Sequence, residues 1–188
     1  CNDAVRIEAR AVRDSVEYGE TIEQTFIKRA KIIGEPKYET TYADSYNGGG
    51  VLGLIDGKLG SLNFRDGNWQ GIQGKNFSVT FELQEGQTLN SVSTNFYHYN
   101  NSWIFRPEEF TVSISNDGIQ WTRAGGDQKA FVEANQRGKS IVNMNVKMSE
   151  PITTKYLKIQ AVNIGKVPHW HEAAGSSAWL FMDEIIIK

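Results

Sequence analysis

The chain has 188 residues, with 22 acidic and 20 basic side chains and a net charge of −2. That length suits one domain, or one domain with a fragment attached. Near-neutral charge argues against a nucleic-acid binder, which shows a basic stripe, no stretch reaches the roughly 18 apolar residues of a membrane span, and a lone cysteine, Cys1, excludes an intrachain disulfide.

In chain order, Val5, Ile7, Ala9 and Ala11 alternate with Arg6, Glu8 and Arg10, and residues 21–27 read as a second strand after a turn at Tyr18-Gly19. Gly34-Glu35-Pro36 reads as a linker. Two strands cannot bury a core alone. Residues 1–34 are therefore expected to be the tail of a preceding small β-domain or an added hairpin, and residues 35–188 the main domain. Within the latter, Phe77, Val79, Phe81 and Leu83 alternate with polar residues, as do Val92, Thr94 and Phe96, and then Phe110, Val112 and Ile114. The same period governs Val142, Met144, Val146 and Met148, and Leu157, Ile159 and Ala161. Each is a strand with one face on a core. Glu85-Gly86, Asn116-Asp117-Gly118 and Gly125-Gly126-Asp127 read as turns between them. The run from Trp179 to Ile187 is apolar on both faces except at Asp183 and Glu184, which marks a covered strand. Short antiparallel strands without a helical period predict an all-β fold, a sandwich or jelly roll with a short N-terminal β segment. Eight residues are expected inside it: Phe77, Val79, Phe81, Val112, Ile114, Met144, Leu157 and Ile159.

The order Leu54-Ile55-Asp56-Gly57, Trp69, the strand at Val79–Leu83, then Ser115-Asn116-Asp117-Gly118-Ile119-Gln120-Trp121 and Tyr156-Leu157-Lys158-Ile159 resembles the discoidin fold. This is the coagulation factor 5/8 type C domain, a group that includes the family 32 carbohydrate-binding modules. Tyr46-Asn47-Gly48, Asp66-Gly67-Asn68-Trp69, Ser102-Trp103-Ile104-Phe105-Arg106-Pro107 and Pro168-His169-Trp170-His171 look like the C-terminal discoidin domain of bacterial family 20 β-N-acetylhexosaminidases, or chitobiases. The resemblance implies an exported bacterial glycoside hydrolase, of which this chain is a non-catalytic module, with a catalytic domain before it in the parent chain.

Sugars are held by stacking an apolar C–H face on an aromatic ring while hydroxyls meet polar side chains. Two loop segments supply that mixture. One runs through His98, Asn101 and Trp103 to Arg106; the other holds His169, Trp170 and His171. These seven are the candidate glycan site, for N-acetylhexosamine or galactose-type sugars, with His98 equally readable as a core histidine. Trp69 and Trp121 stand where the fold packs rings. The resemblance also implies a structural Ca2+ on Asp56, Ser61 and Glu184. Lys58 stands where such modules carry a second acid, so an ion pair in calcium's place remains open.

Catalysis is not expected. Glycoside hydrolysis needs two carboxyl groups across a bound sugar, and Asp183 and Glu184, as neighbours on a strand, should point to opposite faces. His169 and His171 share a strand face, but zinc takes three or four ligands and no third ligand is visible. Clotting-factor relatives bind membranes with apolar spikes ringed by basic residues; the loops here are polar and carry Glu172, so glycans and not lipid are the expected partner. The competing reading is a domain that braces a neighbour, with the same rings buried against it.

Overall fold

The computed structural model describes residues 4–27, 31–128 and 138–188; Cys1 lies outside them. Strands β1 (Ala4–Arg13) and β2 (Val16–Ile27) form a two-stranded antiparallel ribbon of their own. One larger sheet has five strands: β3 (Ile32–Tyr38), β5 (Phe77–Leu83), β10 (Tyr156–Val162), β7 (Glu109–Ser115) and β8 (Thr122–Gln128), in that spatial order. The other has four: β4 (Gln70–Gln73), β11 (Trp179–Ile187), β6 (Thr88–His98) and β9 (Ser140–Thr153). Every strand pair among them is antiparallel. The discoidin-like β-sandwich is thus the fold of the chain.

The core lies between the two sheets because the period-two residues of each face the other. Phe77, Val79 and Phe81 on β5, Val112 on β7 and Leu157 and Ile159 on β10 meet Val92 and Phe96 on β6, Met144 on β9 and Leu180 on β11. Seven of the eight expected core residues are buried; Ile114 packs against the cluster while partly exposed.

β11 is buried on both faces for two reasons. On its outer side Phe181 joins Trp69, Tyr97 and Ile104 in a second cluster, covered by Tyr46 and Phe64. Along its length the register against β6 shifts between Met182 and Ile185. This bulge lets Leu180 and Met182, then Ile185 and Ile187, all face the main core although their parity differs. It also corrects the expectation that Asp183 and Glu184 diverge. Both reach the same loop: Asp183 Oδ2 accepts the Gly60 N–H at 3.0 Å and Glu184 Oε2 the Gly57 N–H at 3.0 Å.

One turn and one linker assignment are also corrected. Gly125-Gly126-Asp127 lies inside β8, not between strands. A Cβ at Gly125 would stand 2.5 Å from Val146 Cγ1, so the glycine serves close approach of β8 to β9, where Asp127 Oδ2 accepts the Asn145 N–H at 2.9 Å. Gly34-Glu35-Pro36 lies inside edge strand β3, whose register slips between Ile33 and Lys37. An edge strand tolerates proline because one side of its ladder is unpaired.

The β1–β2 ribbon is amphipathic. Pairing sets Ala9 beside Ile22 and Ala11 beside Tyr18, on the face that alternation gives to Val5 and Ile7. Val5, Ile7, Tyr18 and Ile22 are all more than half exposed. The opposite face carries the Arg6–Glu8 ion pair at 2.9 Å and Arg10 bonded to Glu17 and Thr21.

Candidate functional site

The connections 99–108 and 163–178 leave the same end of the sandwich. The first joins the end of β6 to the start of β7; the second joins the end of β10 to the start of β11. Backbone bonds stitch them together. Phe105 N–H donates to the Trp179 carbonyl at 2.9 Å, and Trp179 N–H donates to the Trp103 carbonyl at 2.8 Å. Between them Phe105, Val167 and Ala178 form a small third core, with Trp170 and Ala173 packed on it. The two segments named from sequence therefore do converge.

Their side chains take different roles. His98 ends β6 with only 5% of its surface exposed, its ring 5.9 Å from that of Phe105. His171 is a clip. Its Nε2 lies 3.0 Å from the Asn100 carbonyl and its Nδ1 accepts the Ala173 N–H at 3.0 Å, so the ring is the Nε2–H tautomer with both nitrogens committed. Trp170 is half-buried, edge-on to Phe105 at 6.3 Å. Asn101 and His169 are exposed. Arg106 is half-buried, and loss of water around its guanidinium lowers its pKa from the ordinary value.

Trp103 stands apart. A short 3-10 turn, Asn100–Ser102, delivers it in the left-handed backbone conformation, φ +60°. A bulky residue there is strained and persists only when its surroundings over-determine it. Here its N–H bonds the Asn100 carbonyl at 2.8 Å and its own carbonyl takes the Trp179 N–H. The result is an indole left 36% exposed on a fixed backbone.

Beside this loop end is a cleft of about 320 Å³, lined by Tyr46, Asn47, Phe64, Arg65 and Trp69 among others. Tyr46 meets Trp179 edge-on at 5.3 Å, which ties the cleft to the loop end. Arg65 lies over the Phe64 ring at 5.1 Å. Tyr46, Phe64 and Arg65 line this cleft without being among the residues the sequence points to for a glycan site. Only Tyr46 stands in one of the resemblance motifs, Tyr46-Asn47-Gly48; Phe64 and Arg65 precede Asp66-Gly67-Asn68-Trp69 and carry no local signal of their own. Trp69 is 1% exposed and donates its indole N–H to the Ser61 carbonyl at 3.0 Å, as a packing residue should. Trp121 belongs to none of the three cores; it lies half-buried on the outer face of the five-stranded sheet.

The residues expected to hold calcium are spread along one loop and β11. Lys58 Nζ lies 3.2 Å from Asp56 Oδ2, and Asp56 Oδ1 accepts the Lys58 N–H at 2.9 Å. Glu184 is held on the Gly57 N–H, and the Ser61 hydroxyl accepts the Asn63 N–H at 3.2 Å. Carboxylate and hydroxyl oxygens are the right donors in kind. Asp56 Oδ2, however, faces an ammonium, and Asp56 Oδ1, Glu184 Oε2 and the Ser61 hydroxyl each accept a backbone N–H, donors with which a cation would have to compete. Among the described residues no group of three or more His, Cys, Asp or Glu side chains comes together for a metal.

Among solved structures the chain resembles the family 32 carbohydrate-binding module of AlyQ, determined in complex with 4,5-unsaturated mannuronic acid. The TM-score is 0.50 and the identity 16%, over 85% of this chain and 97% of that one. It also resembles a fucolectin from the serum of striped bass (Morone saxatilis), with TM-score 0.51 and 16% identity over 82% of this chain and 46% of that one. At such identities the likeness is one of fold. No curated protein sequence matches the chain. Residues 38–181, from the end of β3 to the start of β11, match the F5/8 type C domain family, and the chain belongs to that family.

Proposed function

We propose that this domain is a non-catalytic carbohydrate-binding module of an exported bacterial glycoside hydrolase of the family 20 hexosaminidase kind. Its sugar site is the loop end around Trp103 and Trp170, with the cleft at Tyr46 and Arg65 beside it. The observation that carries the reading is Trp103: an exposed indole fixed in a strained conformation, next to the exposed Asn101 and His169. A ring preset in this way accepts a sugar's C–H face with little ordering cost. One such ring contributes on the order of 1 kcal/mol; with hydroxyl contacts supplying the rest of the roughly 4–5.5 kcal/mol required, binding of a single sugar is in the millimolar to high-micromolar range. Because His171 spends both ring nitrogens on the backbone, it positions the loop, while Asn101, His169 and Arg106 meet hydroxyls. The sugar-bound state of the AlyQ module supports this reading by analogy of fold. In the 56–61 loop the Lys58–Asp56 pair stands in for calcium.

The exposed apolar face of the β1–β2 ribbon supports a further part of the proposal, that this ribbon, and not residues 32–34, which already lie in β3 of the five-stranded sheet, belongs to a preceding β-domain whose core covers Val5, Ile7 and Ile22. It also favours the second reading, a brace between domains.

The test is a titration with N-acetylglucosamine, galactose and chitin oligomers, followed by NMR of the indole N–H signals. Movement of the Trp103 and Trp170 signals is expected. If no indole signal moves up to tens of millimolar sugar, the bracing role replaces the binding one.

A further inference from the structure

A second groove, of about 570 Å³, lies on the outer face of the five-stranded sheet. It is at the opposite end from the candidate loops, where β10 begins and β7 ends. Its floor follows from strand register. Tyr156 pairs with Glu82, and Lys158 with Thr80. Alternation turns these four outward while Leu157, Ile159, Val79 and Phe81 face the core. One wall is the Asp117-Gly118 turn with Trp121; the other is the irregular edge strand β3 with Tyr38 and Glu39.

The walls are fixed. Asp117 Oδ1 accepts the N–H groups of Ile119 and Gln120, both at 2.8 Å, and the Ser115 hydroxyl at 2.9 Å, which locks the turn that delivers Trp121. Lys158 Nζ sits 4.4 Å from the Trp121 ring centroid and 2.9 Å from Glu39 Oε1. Glu39 Oε2 accepts the Ser78 hydroxyl at 2.7 Å, and the Lys158 contact holds its carboxyl below the usual range. The core has no need of Trp121 or Tyr156, since neither joins a buried cluster. An outer sheet face in water is ordinarily polar; this one sets two rings beside a hydroxyl, two carboxylates and an ammonium.

We propose that this groove is a second carbohydrate site, for a neutral glycan chain. It rests on the reading of the domain as a sugar binder and adds a place and a ligand class. Rings supply the apolar platform, and Thr80, Glu82 and Lys158 supply hydroxyl partners. The groove's volume falls in the range of small-ligand sites. Charge selects against acidic sugars: Glu35, Glu39, Glu82 and Asp117 outnumber Lys37, Lys158 and the flanking Lys155, whose Nζ lies 3.6 Å from Glu82 and 5.2 Å from the Tyr156 ring centroid. A uronate chain would meet net repulsion.

The experiment uses the full chain with 15N-labelled indoles, titrated with chitohexaose, cellohexaose and an oligomannuronate. A neutral hexaose is expected to shift Trp121, and Trp103→Ala to leave that shift intact. Trp121→Ala, a change outside the core, should keep the melting temperature and weaken hexaose binding about fivefold, the scale of one ring pairing. Tyr156→Phe should weaken it less than Tyr156→Ala. If Trp103 or Trp170 moves with the neutral hexaoses and Trp121 does not, the groove is refuted and the loop-end site stands. If Trp121 alone moves, the groove stands and the loop end loses its role. If only oligomannuronate moves Trp121, the charge reasoning and the neutral ligand are refuted. If no indole moves with any of the three, both sites fall.

Discussion

Asp183 makes the stability of this domain depend on pH in an unusual direction. Its side chain is wholly buried in the β11 bulge, and burial pushes its pKa up from 3.8 to about 7. Three donors, Asn95 N–H at 3.2 Å, Asn95 Nδ2 at 3.0 Å and Gly60 N–H at 3.0 Å, pull the other way without overcoming that loss of water. The folded chain therefore holds a proton that the unfolded chain releases near pH 4. Between those values the native state binds more protons, so stability falls as pH rises. It is highest below about pH 4, declines through about 7, and is level above. From pH 5 to pH 8 the loss from this one group is about 2.5 kcal/mol, at 1.36 kcal/mol per pKa unit. Urea unfolding at half-unit pH steps measures it for the native chain and for Asp183→Asn. The native chain should lose stability over that window, and the variant should lose about 2.5 kcal/mol less of it. Parallel curves for the two proteins would refute the buried, proton-holding carboxyl.

Other outcomes follow from the packing. Phe81→Ala or Ile159→Ala should cost roughly 2–5 kcal/mol in denaturant unfolding, the range for large core deletions; a cost under 1 kcal/mol would contradict their full burial. Gly60→Ala would drive a Cβ into the Trp69 indole and should lower the melting temperature by several degrees or more, whereas Gly86→Ala, with open space around it, should cost only the strain of its positive φ, roughly 1 kcal/mol. Millimolar calcium should leave the melting temperature unchanged, because Lys58 already neutralises Asp56; a rise that chelator reverses would restore the metal, by mass action on the folded state.

The strands with strict alternation were legible because each has one buried face. The core residues Phe77 to Phe81, Leu157 and Ile159 followed from that period alone. What sequence could not show came from tertiary contact. Gly125-Gly126 has the chemistry of a turn, and only the approach of Val146 turns it into strand. β4 spans just four residues, Gln70–Gln73, too few for a period to register. The convergence of the two loop segments was foreseeable from fold resemblance, but the commitment of His171 to the backbone was not, since Asn100 is 71 residues away in sequence. The sequence presents Trp121 as a packing ring, because nothing local tells a ring laid on the outside of a sheet from one beneath it.

The last strand of the sandwich, β11, sits between β4 and β6. As the ribosome extends the chain, the four-stranded sheet thus lacks its centre until residues 179–187 emerge. Until then β4 and β6 have no shared neighbour, and the 57–60 loop has no Asp183 or Glu184 to close on. Folding of this domain is therefore an event at the end of its synthesis, with contacts that span more than 120 residues forming late. A ribosome-stalled chain ending before Trp179 should be a substrate for chaperones and proteases, while one extended past Lys188 should fold.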